Sequence, residues 1–473
     1  MATMPSENEN ISSPPDAVAL KVAPAVGLLE AKYANSRRFQ NVIAGDTSET
    51  LTATHWNIAL ATAFGWFLDS MSIALYALII PYLLTDFHIT LSYLTFWVTI
   101  TGLFAVATTY LWPWFSDQVG RRLAFTINIA LTGVFVVLTA WAQSWALFLL
   151  FYTLMRACLN GEWSIAANLT AETWPAKYRS KVLSVARSLY GFGVALAGVI
   201  GTYIIAPHGW RWGYGITAVL ALVALFFRML CPESPHWVRT RDRRDRVRAL
   251  IREGSDVSEE DRVWYSRAAK ASIRQLFEPG QTKLTIAATF VAITGSLTWI
   301  PLGSYAPLFL SETHHWTTGQ YSSWYTWFGI FGAIGYWFLG WIADKWSRFA
   351  AMVVGNIITI ATIIPFSLVH GHAALWIFGC LADFGLIGVW GVIFTYSAEL
   401  FPTRMRGTGS GFTWTVAGLV GFGAPYAAVW LRDMSGSFAL PFMLVAPILV
   451  LQIIGLWLFK VEYARRTLDS IRQ

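Results

Sequence analysis

The amino-acid sequence predicts an all-α membrane protein with twelve transmembrane helices, arranged as two six-helix pseudo-repeats. The first observation is composition: of 473 residues, 55% are hydrophobic and 13% are charged, whereas soluble domains carry about 25% charged residues. The second is a series of twelve apolar runs, each close to the length of about 20 residues that a bilayer requires. The third is a set of motifs that recur in both halves of the chain at one constant spacing.

The predicted spans form two sets of six. The first set is 55–84, 92–115, 122–142, 145–169, 182–206 and 212–231. The second set is 284–310, 322–343, 349–369, 373–397, 408–430 and 438–460. We therefore divide the chain into an N-terminal half (55–231) and a C-terminal half (284–460), joined by a central loop (232–283). Residues 1–54 and 461–473 are expected to be cytoplasmic tails. The N-terminal one is not interpreted as a signal peptide, because it lacks the apolar core of one.

Lysine and arginine positions predict the orientation of the chain. One side carries Arg121, Arg122, Lys177, Arg179, Lys181, Lys345, Arg348, Arg404, Arg406 and the arginine-rich central loop, and the opposite loops carry Arg211 and Arg432. By the positive-inside rule the basic side is cytoplasmic. We expect an integral plasma-membrane protein, in a bacterial inner membrane, with both termini and the central loop inside. The net charge of +7 is spread over short loops, so nucleic-acid binding is not expected.

Two motifs repeat across the halves. FSDQVGRR (115–122) is echoed by IADKWSRF (342–349), and ETWPAKYR (172–179) by ELFPTRMR (399–406). Both pairs are offset by 227 residues (344 − 117 and 399 − 172). The same offset aligns Gly161 with Gly388, Trp163 with Trp390 and Arg156 with Asp383. Parallel repeats of this kind are typical of transporters whose substrate path lies between the halves, near the middle of the bilayer.

Several of these motifs resemble signatures of the major facilitator superfamily. Asp117-x-x-Gly-Arg-Arg122 resembles its loop signature, and Asp344-Lys-Trp-Ser-Arg348 resembles the weaker second copy. Pro232-Glu-Ser-Pro-His-Trp237 resembles a motif of sugar porters and related proton symporters. Gly161-Glu-Trp163 with Glu172-x-Trp-Pro-x-x-x-Arg179 is most similar to sialic-acid and metabolite–proton symporters. The resemblance covers nearly all of residues 55–460.

The charged residues of these loops are candidates for gating. Arg121 and Arg122 are donors that can face carboxylates, Gly120 permits a tight turn, and we expect Asp117 to satisfy N–H groups at a helix N-terminus. The gating set is Asp117, Gly120, Arg121, Arg122, Glu172, Arg179, Asp344, Arg348, Glu399, Arg404 and Arg406. We favour a charge latch that holds one half against the other while the inside is closed, and the alternative is topology anchoring alone. The resemblance implies that these networks break and re-form as the halves rock.

Charged residues inside the fourth span point to a polar path. Arg156 and Glu162 cost about 2.5 kcal/mol or more each in lipid. Arg156 and Asn160 share a helix face, whereas Glu162 is six residues from Arg156 and need not. We expect Arg156 to bind an anionic substrate group with its planar fork, in competition with Asp383. The alternative is a structural ion pair in which Arg156 and Asp383 meet across the cavity.

The fourth span departs from the family pattern. The family has an arginine ten residues before the glutamate of Gly-Glu-Trp, where this chain has Tyr152. The family glycine four residues later is Arg156 in this chain. The arginine has therefore moved about one helical turn, which leaves open whether the family's coupling mechanism carries over.

Three carboxylates are candidates for proton coupling. Asp69 lies in GWFLDSMS of the first span, where related organic-acid symporters have D-x-x-D and this chain has Ser72 as the second residue. A carboxyl group in a low-dielectric environment can take up and release a proton near neutral pH. The candidates are Asp69, Glu162 and Asp383, and for Asp69 the alternative is a polar group that faces water.

Tryptophans are candidates for aromatic walls of the path. The set is Trp66, Trp163, Trp299, Trp327, Trp390 and Trp414. We favour Trp163 and Trp390 as substrate contacts, since the repeat places them beside the polar cluster. The three cysteines have no metal-ligand spacing, no G-x-x-x-x-G-K-[ST] motif occurs, and we expect no metal, cofactor or ATP.

Two segments of the central loop, 239–254 and 258–277, can form amphipathic helices at the inner membrane surface, with Ser258 and Asp261 as a capping box at the start of the second.

The sequence thus predicts a secondary active transporter, not an enzyme, that imports a small organic acid (a monocarboxylate, sialic or aromatic acid) with protons by alternating access. Its partners would be the organic anion, protons and the lipid bilayer, with a monomer as the expected state. Three alternatives stay open: a sugar or polyol porter, a proton-coupled exporter of drugs or metabolites, and a membrane receptor. Arg156 argues against neutral sugars, and the central loop is small for a signalling domain.

Overall fold

The computed structural model describes residues 51–174, 176–268, 273–401 and 406–459. Most of these residues are helical, and no strand occurs among them. The tails predicted at 1–54 and 461–473 lie outside this range, apart from residues 51–54.

Six long helices form the N-terminal half. They are Ala53–Asp86, Leu91–Val119, Arg121–Ala140, Trp145–Thr173, Ala176–Ile200 and Trp210–Met229. We call them the first to sixth spans. The fifth continues through a π-helical turn at Gly201–Ile205 and a short turn at Ala206–His208.

The C-terminal half repeats this arrangement. Its helices are Thr282–His314, Thr318–Lys345, Arg348–Leu368, His372–Glu399, Arg406–Gly421 continued by Gly423–Ser435, and Ala439–Met443 continued by Val445–Phe459. We call them the seventh to twelfth spans. The prediction of twelve transmembrane helices is confirmed.

The fourth span differs from the others in hydropathy. Within the described residues, eleven helices are long and apolar enough to cross a membrane, and Trp145–Thr173 is not among them. It has 29 residues, which at about 1.5 Å per residue exceeds a hydrocarbon thickness of about 30 Å. Its length therefore suffices, and Arg156 and Glu162 account for its lower hydropathy.

Polar residues set the starts of several spans. Ser144 accepts a hydrogen bond from the Leu147 amide at the start of the fourth span, and Ser347 does the same for Ala350 at the start of the ninth. Each side chain satisfies an N–H group that has no partner within the helix. Gly120 separates the second and third spans with φ of 113°, a conformation that favours glycine.

The two halves pack through the first and fifth spans on one side and the seventh and eighth on the other, and the second span contacts the eleventh. Backbones approach closely here. A methyl group at Gly191 of the fifth span would lie 2.6 Å from the carbonyl oxygen of Gly329 in the eighth. Small residues at this contact allow the two helices to touch.

Hydrogen bonds join the halves at one end of the bundle. Tyr82 of the first span donates to Thr318 of the eighth at 3.0 Å, and Ser92 of the second donates to Asp433 of the eleventh at 2.6 Å. The loops that contain Arg121 and Arg348 lie at the opposite end of the bundle. We call the end with these two loops the basic end.

The central loop contains the helices Pro235–Arg252 and Glu259–Ala268 and a 3-10 turn, Ile273–Phe277. Arg243 of the first helix donates to Asp261 of the second at 2.7 Å. This contact lowers the pKa of the Asp261 carboxyl. The amide of Asp261 donates to the Ser258 hydroxyl at 3.2 Å, which is one of the two bonds of the predicted capping box.

Candidate functional site

A cavity of about 260 Å³ lies between the two halves, with walls from the first, second, fourth and fifth spans and from the seventh, eighth, tenth and eleventh. Most of its lining is aromatic or aliphatic. Its charged and polar side chains include Asp69, Asn160, Arg187, Tyr190, Tyr336 and Thr415. A largely apolar cleft with a few polar groups is the usual form of a small-molecule site.

Asp69 and Arg156 form an ion pair beside this cavity. The Nη1 atom of Arg156 lies 2.7 Å from Oδ1 of Asp69, and its Nη2 donates to Oδ1 of Asn160 at 3.1 Å. Both charged side chains are less than one-fifth exposed. The shared face predicted for Arg156 and Asn160 is therefore confirmed. Asp69 and Asn160 line the cavity, and Arg156 stands behind them.

The predicted meeting of Arg156 with Asp383 across the cavity is not the arrangement found, because the fork of Arg156 is held by Asp69 and Asn160. Asp383 lies in the tenth span and is 1% exposed. Its Oδ1 has no hydrogen-bond partner among the described residues. The repeat aligned Asp383 with Arg156, but it does not specify which acid an arginine reaches.

Glu162 pairs with Arg228 of the sixth span, and both side chains are buried. Arg228 also donates to the Phe125 carbonyl at 3.1 Å and lies 4.0 Å from the centre of the Phe125 ring. Gly65 of the first span makes room for the pair, because a methyl group there would collide with the Glu162 carboxylate. Glu162 thus pairs with an arginine other than Arg156 and does not line the central cavity.

Arg187 of the fifth span lines the cavity. Its guanidinium carbon lies 5.7 Å from the ring centre of Trp66 and 5.2 Å from that of Phe394. Tyr336 of the eighth span interacts with the Arg187 side chain. The Nε of Arg187 has no hydrogen-bond partner within the described residues.

Aromatic rings form the wall on the side of the C-terminal half. Phe394 and Trp414 are stacked with ring centres 4.2 Å apart, and Trp390 lies 5.6 Å from Trp414. Of the six tryptophans predicted as candidate walls, Trp66, Trp299, Trp390 and Trp414 line the cavity. Trp327 does not, and it is 49% exposed.

The gating candidates form two matching triads at the basic end. Arg121 binds Asp117 and, at 3.1 Å, Glu172. Arg348 binds Asp344 at 2.6 Å and Glu399 at 3.0 Å. Each triad lies within one half. A latch between the halves therefore stays a prediction for another state of the protein.

Asp117 does not have the predicted helix-capping role. It lies in the last turn of the second span, before the break at Gly120, and its carboxylate binds the side chain of Arg121. The N–H groups of Arg121 and Arg122 donate instead to Oε1 of Glu233, at 2.7 and 3.2 Å. Gly120 at the cap has no side chain of its own, so the acceptor comes from the Pro232–Trp237 motif. Trp237 of that motif donates to the Asp117 carbonyl at 2.9 Å.

Some predicted site residues lie outside what the structure describes. They are the side chains of Trp163, Arg179 and Arg406, and the whole of Arg404. Arg122, by contrast, is described, and its Nη2 donates to the Met229 carbonyl at 3.1 Å.

Arg187, Arg228 and Glu233 are absent from the predicted set. Arg187 and Arg228 are charged residues within apolar spans, which is the signal that singles out Arg156. Glu233 belongs to a motif used only for its resemblance, and its contact with the loop after the second span spans more than 110 residues of sequence.

Known proteins are similar to this chain over most of its length. A family model described as Major Facilitator Superfamily matches residues 62–425 and 303–472. The niacin transporter NiaP of Acinetobacter baylyi is 21% identical over 427 residues, covering 88% of this chain and 96% of that protein. The inner membrane metabolite transport protein YhjE of Escherichia coli is 25% identical over 365 residues, covering 70% and 76%.

Among solved structures, the xylose transporter XylE of Escherichia coli, in a partially occluded inward-open conformation, superimposes with a TM-score of 0.72. The two sequences are 16% identical, and the match covers 88% of this chain and all of that one. Such a likeness establishes the fold alone. The predicted resemblance and the predicted absence of enzymatic function are confirmed by the family match and the relatives: the chain belongs to the Major Facilitator Superfamily, as an integral membrane protein and a secondary transporter of small organic compounds.

Proposed function

We propose that this protein imports a small organic acid together with protons, by alternating access of the central cavity across a bacterial inner membrane. The observation that carries the proposal is the Asp69–Arg156 ion pair at the cavity wall, at 2.7 Å. The basic end and both termini face the cytoplasm in this proposal. The relative named as an inner membrane protein supports that location.

The ion pair supplies a way to couple a proton to an anion. Two opposite charges in a low-dielectric site offset each other's desolvation, whereas either one alone is costly. When Asp69 takes up a proton its charge is lost, and Arg156 is left without its carboxylate partner. An organic anion that binds Arg156 then supplies the missing negative charge. Proton and anion therefore stabilise the site together more than either does separately.

Asn160 connects the pair to the cavity. Its side-chain oxygen accepts from Arg156 and its side chain lines the cavity. An anion that approaches Arg156 would meet the Asn160 amide as a second donor. We therefore retain Arg156 and Asn160 as candidate ligands of the anion in the protonated state.

Two further acids are candidates for proton coupling. Asp383 is buried, with an oxygen that lacks a partner in the described part of the chain, so a neutral carboxyl is the less costly form there. Glu162 forms an ion pair with Arg228, so a role in proton coupling requires that pair to separate. Asp69 is the first candidate because it alone of the three lines the cavity.

The state of the two ends fits an inward-facing conformation. The halves are hydrogen-bonded at the end opposite the basic loops, and the arginine triads at the basic end are closed within each half. In the outward-facing state we expect the basic end to close. Arg121 and Arg348 would then exchange partners between the halves.

The substrate class is supported by a relative and by charge. The Acinetobacter baylyi relative is a niacin transporter by name, and niacin is a small organic acid. Two arginines stand at or behind the cavity wall, and Asp69 neutralises one of them. An anion is the ligand that such a site favours over a neutral sugar.

The proposal is tested with the purified full-length protein in liposomes. Transport currents are recorded for a panel of organic acids and neutral hexoses, with and without an inward proton gradient, and protein-free liposomes correct for passive entry of weak acids. The expected result is a gradient-dependent inward positive current for an acid and none for a hexose. Uptake of a labelled hexose, together with no transport current for any acid, would identify a sugar porter. Acid flux driven only by a proton gradient of opposite sign would identify an exporter.

A further inference from the structure

We propose that Arg187 and the indole N–H of Trp390 bind the carboxylate of a flat aromatic acid whose ring lies against Phe394 and Trp414. The inference deepens the proposed function and rests on it for the claim that the ligand is transported. It assigns to Arg187 a role that is separate from the Asp69–Arg156 pair.

Among the described residues, Arg187 has no anionic partner. Its neighbours are the rings of Trp66 and Phe394 and the hydroxyl-bearing side chain of Tyr336, and no carboxylate pairs with it among the residues described. Its Nε–H lacks a hydrogen-bond acceptor there. A buried N–H donor without an acceptor is costly until one arrives, and a carboxylate accepts from the planar guanidinium fork at two points.

Trp390 supplies a second unused donor on the same cavity. Its Nε1 is buried and has no acceptor within the described chain, and its side chain lines the cavity with Arg187. Buried indole N–H groups usually have a partner. Two orphaned donors and a positive charge call for a ligand rich in acceptors and negative in charge.

The wall next to these donors is aromatic and suits a flat ring. Phe394 and Trp414 are nearly parallel, with an interplanar angle of 25°, and Trp390 is tilted by 25° from Trp414. Stacked aromatic faces favour another planar ring in an offset or edge-on arrangement over a puckered aliphatic one. The aromatic lining therefore favours a planar ring over a puckered one, and Arg187 favours an anion over a neutral ligand.

The volume accommodates a ligand with one ring. The cavity measures about 260 Å³, and an engineered apolar cavity of about 150 Å³ holds benzene. A single six-membered ring with one carboxylate fits this space. A sugar acid with a long polyol chain would leave its hydroxyl groups against aromatic faces.

Arg156 is less suited to the first contact. Its fork is already held by Asp69 and Asn160, so it accepts an anion only after Asp69 is neutralised. Arg187 needs no such step. We therefore place anion capture at Arg187 before proton uptake at Asp69.

Equilibrium binding to the purified full-length protein in nanodiscs tests the inference without transport. The probes are benzoate and nicotinate, their neutral amides benzamide and nicotinamide, and cyclohexanecarboxylate as a non-planar acid of similar size. For the wild-type protein we expect at least one aromatic acid to bind about tenfold or more tightly than its amide and than cyclohexanecarboxylate. Equal affinity for acid and amide, or no binding of either aromatic acid, overturns the inference.

Variants then test the residues. Arg187→Met should weaken binding of that aromatic acid about tenfold to a hundredfold and leave amide binding nearly unchanged. The matched control is Arg262→Met, because Arg262 is exposed on the central loop. Unchanged acid affinity in Arg187→Met overturns the proposal. If Arg187→Met does not fold, Trp390→Phe removes the indole N–H donor and keeps an aromatic ring. It should lower the acid-to-amide affinity ratio, and an unchanged ratio counts against the site.

The two proposals fail in different ways. If an aromatic acid binds through Arg187 but a proton gradient drives no uptake, the proposed function is wrong and the anion site stands. If proton-driven acid uptake persists with unchanged selectivity in Arg187→Met, the anion site is wrong and the proposed function stands.

Discussion

Arg121 and Arg348 have the same pair of partners in the two halves of the chain. Each binds an aspartate four residues before it and a glutamate 51 residues after it. The positions are 227 residues apart (348 − 121), which is the offset of the sequence repeat. The duplication therefore preserves a three-residue ionic network, not only a motif, at the basic end of both halves.

This symmetry predicts that Arg121→Gln and Arg348→Gln have similar effects. Each removes the partner of a mostly buried glutamate, since Glu172 and Glu399 are 16% and 28% exposed, and should destabilise the protein by about 1–3 kcal/mol. If the triads also gate, both variants should lower maximal uptake more than apparent affinity. Asp344→Asn is the control, because Asp344 is 79% exposed and such pairs contribute little. Thermal unfolding and initial uptake rates measure the two effects, and a loss confined to one half would contradict a shared role.

The apolar runs were sufficient to predict the twelve helices, because each run is a local signal in the sequence. The repeat was recognisable because it needs only a comparison of two stretches of sequence. The partner of Arg156 was not predictable in the same way. The offset pointed to Asp383, but helix packing brings Asp69 of the first span to Arg156, and packing depends on how side chains of distant segments fit. Glu233 was missed for the same reason, since it caps the third span from the far end of the sixth.

Glu162 and Arg228 should behave as a structural pair. Glu162→Gln leaves the Arg228 guanidinium, which is 0% exposed, buried without a counter-charge. We expect a loss of about 3–5 kcal/mol in unfolding free energy. The double variant Glu162→Gln with Arg228→Met removes both charges and should recover most of that loss. Denaturation of the reconstituted protein measures the cycle, and a double variant no more stable than Glu162→Gln would show that the pair is not the cause.

Glu233 should make stability depend on pH. Burial raises the pKa of its carboxyl above the usual value, although three backbone N–H groups oppose the shift. A carboxyl with a raised pKa in the folded protein favours folding below its unfolded pKa of about 4.3. That contribution is lost as pH rises through the folded pKa. Glu233→Gln keeps an oxygen for the amides of Arg121 and Arg122 and does not titrate.

The stability of wild-type protein relative to Glu233→Gln should therefore fall as pH rises from below about 4.3 toward neutrality. Melting temperatures of both proteins over this range measure the difference. A difference that is constant with pH, or that grows in favour of the wild type as pH rises, would mean that the carboxylate form is the one the folded protein prefers.

Substitutions of Asp69 and of Arg156 should affect different properties: the first proton coupling, the second substrate affinity. Asp69→Asn removes the proton site but keeps an oxygen that can accept from Arg156. It should abolish accumulation driven by a proton gradient and retain exchange of internal for external substrate, which needs no net proton movement. Asp256→Asn is the matched control, because Asp256 is exposed in the central loop.

Arg156→Lys keeps the charge but not the planar fork, so it should weaken apparent affinity about tenfold. Intact accumulation in Asp69→Asn would eliminate Asp69 as the proton carrier, and unchanged affinity in Arg156→Lys would eliminate the fork as an anion ligand. Because the two residues are 2.7 Å apart, their effects should not add: once Asp69 is neutral, Arg156→Lys should alter exchange more than it does in the wild-type background, since the arginine is then free for the anion.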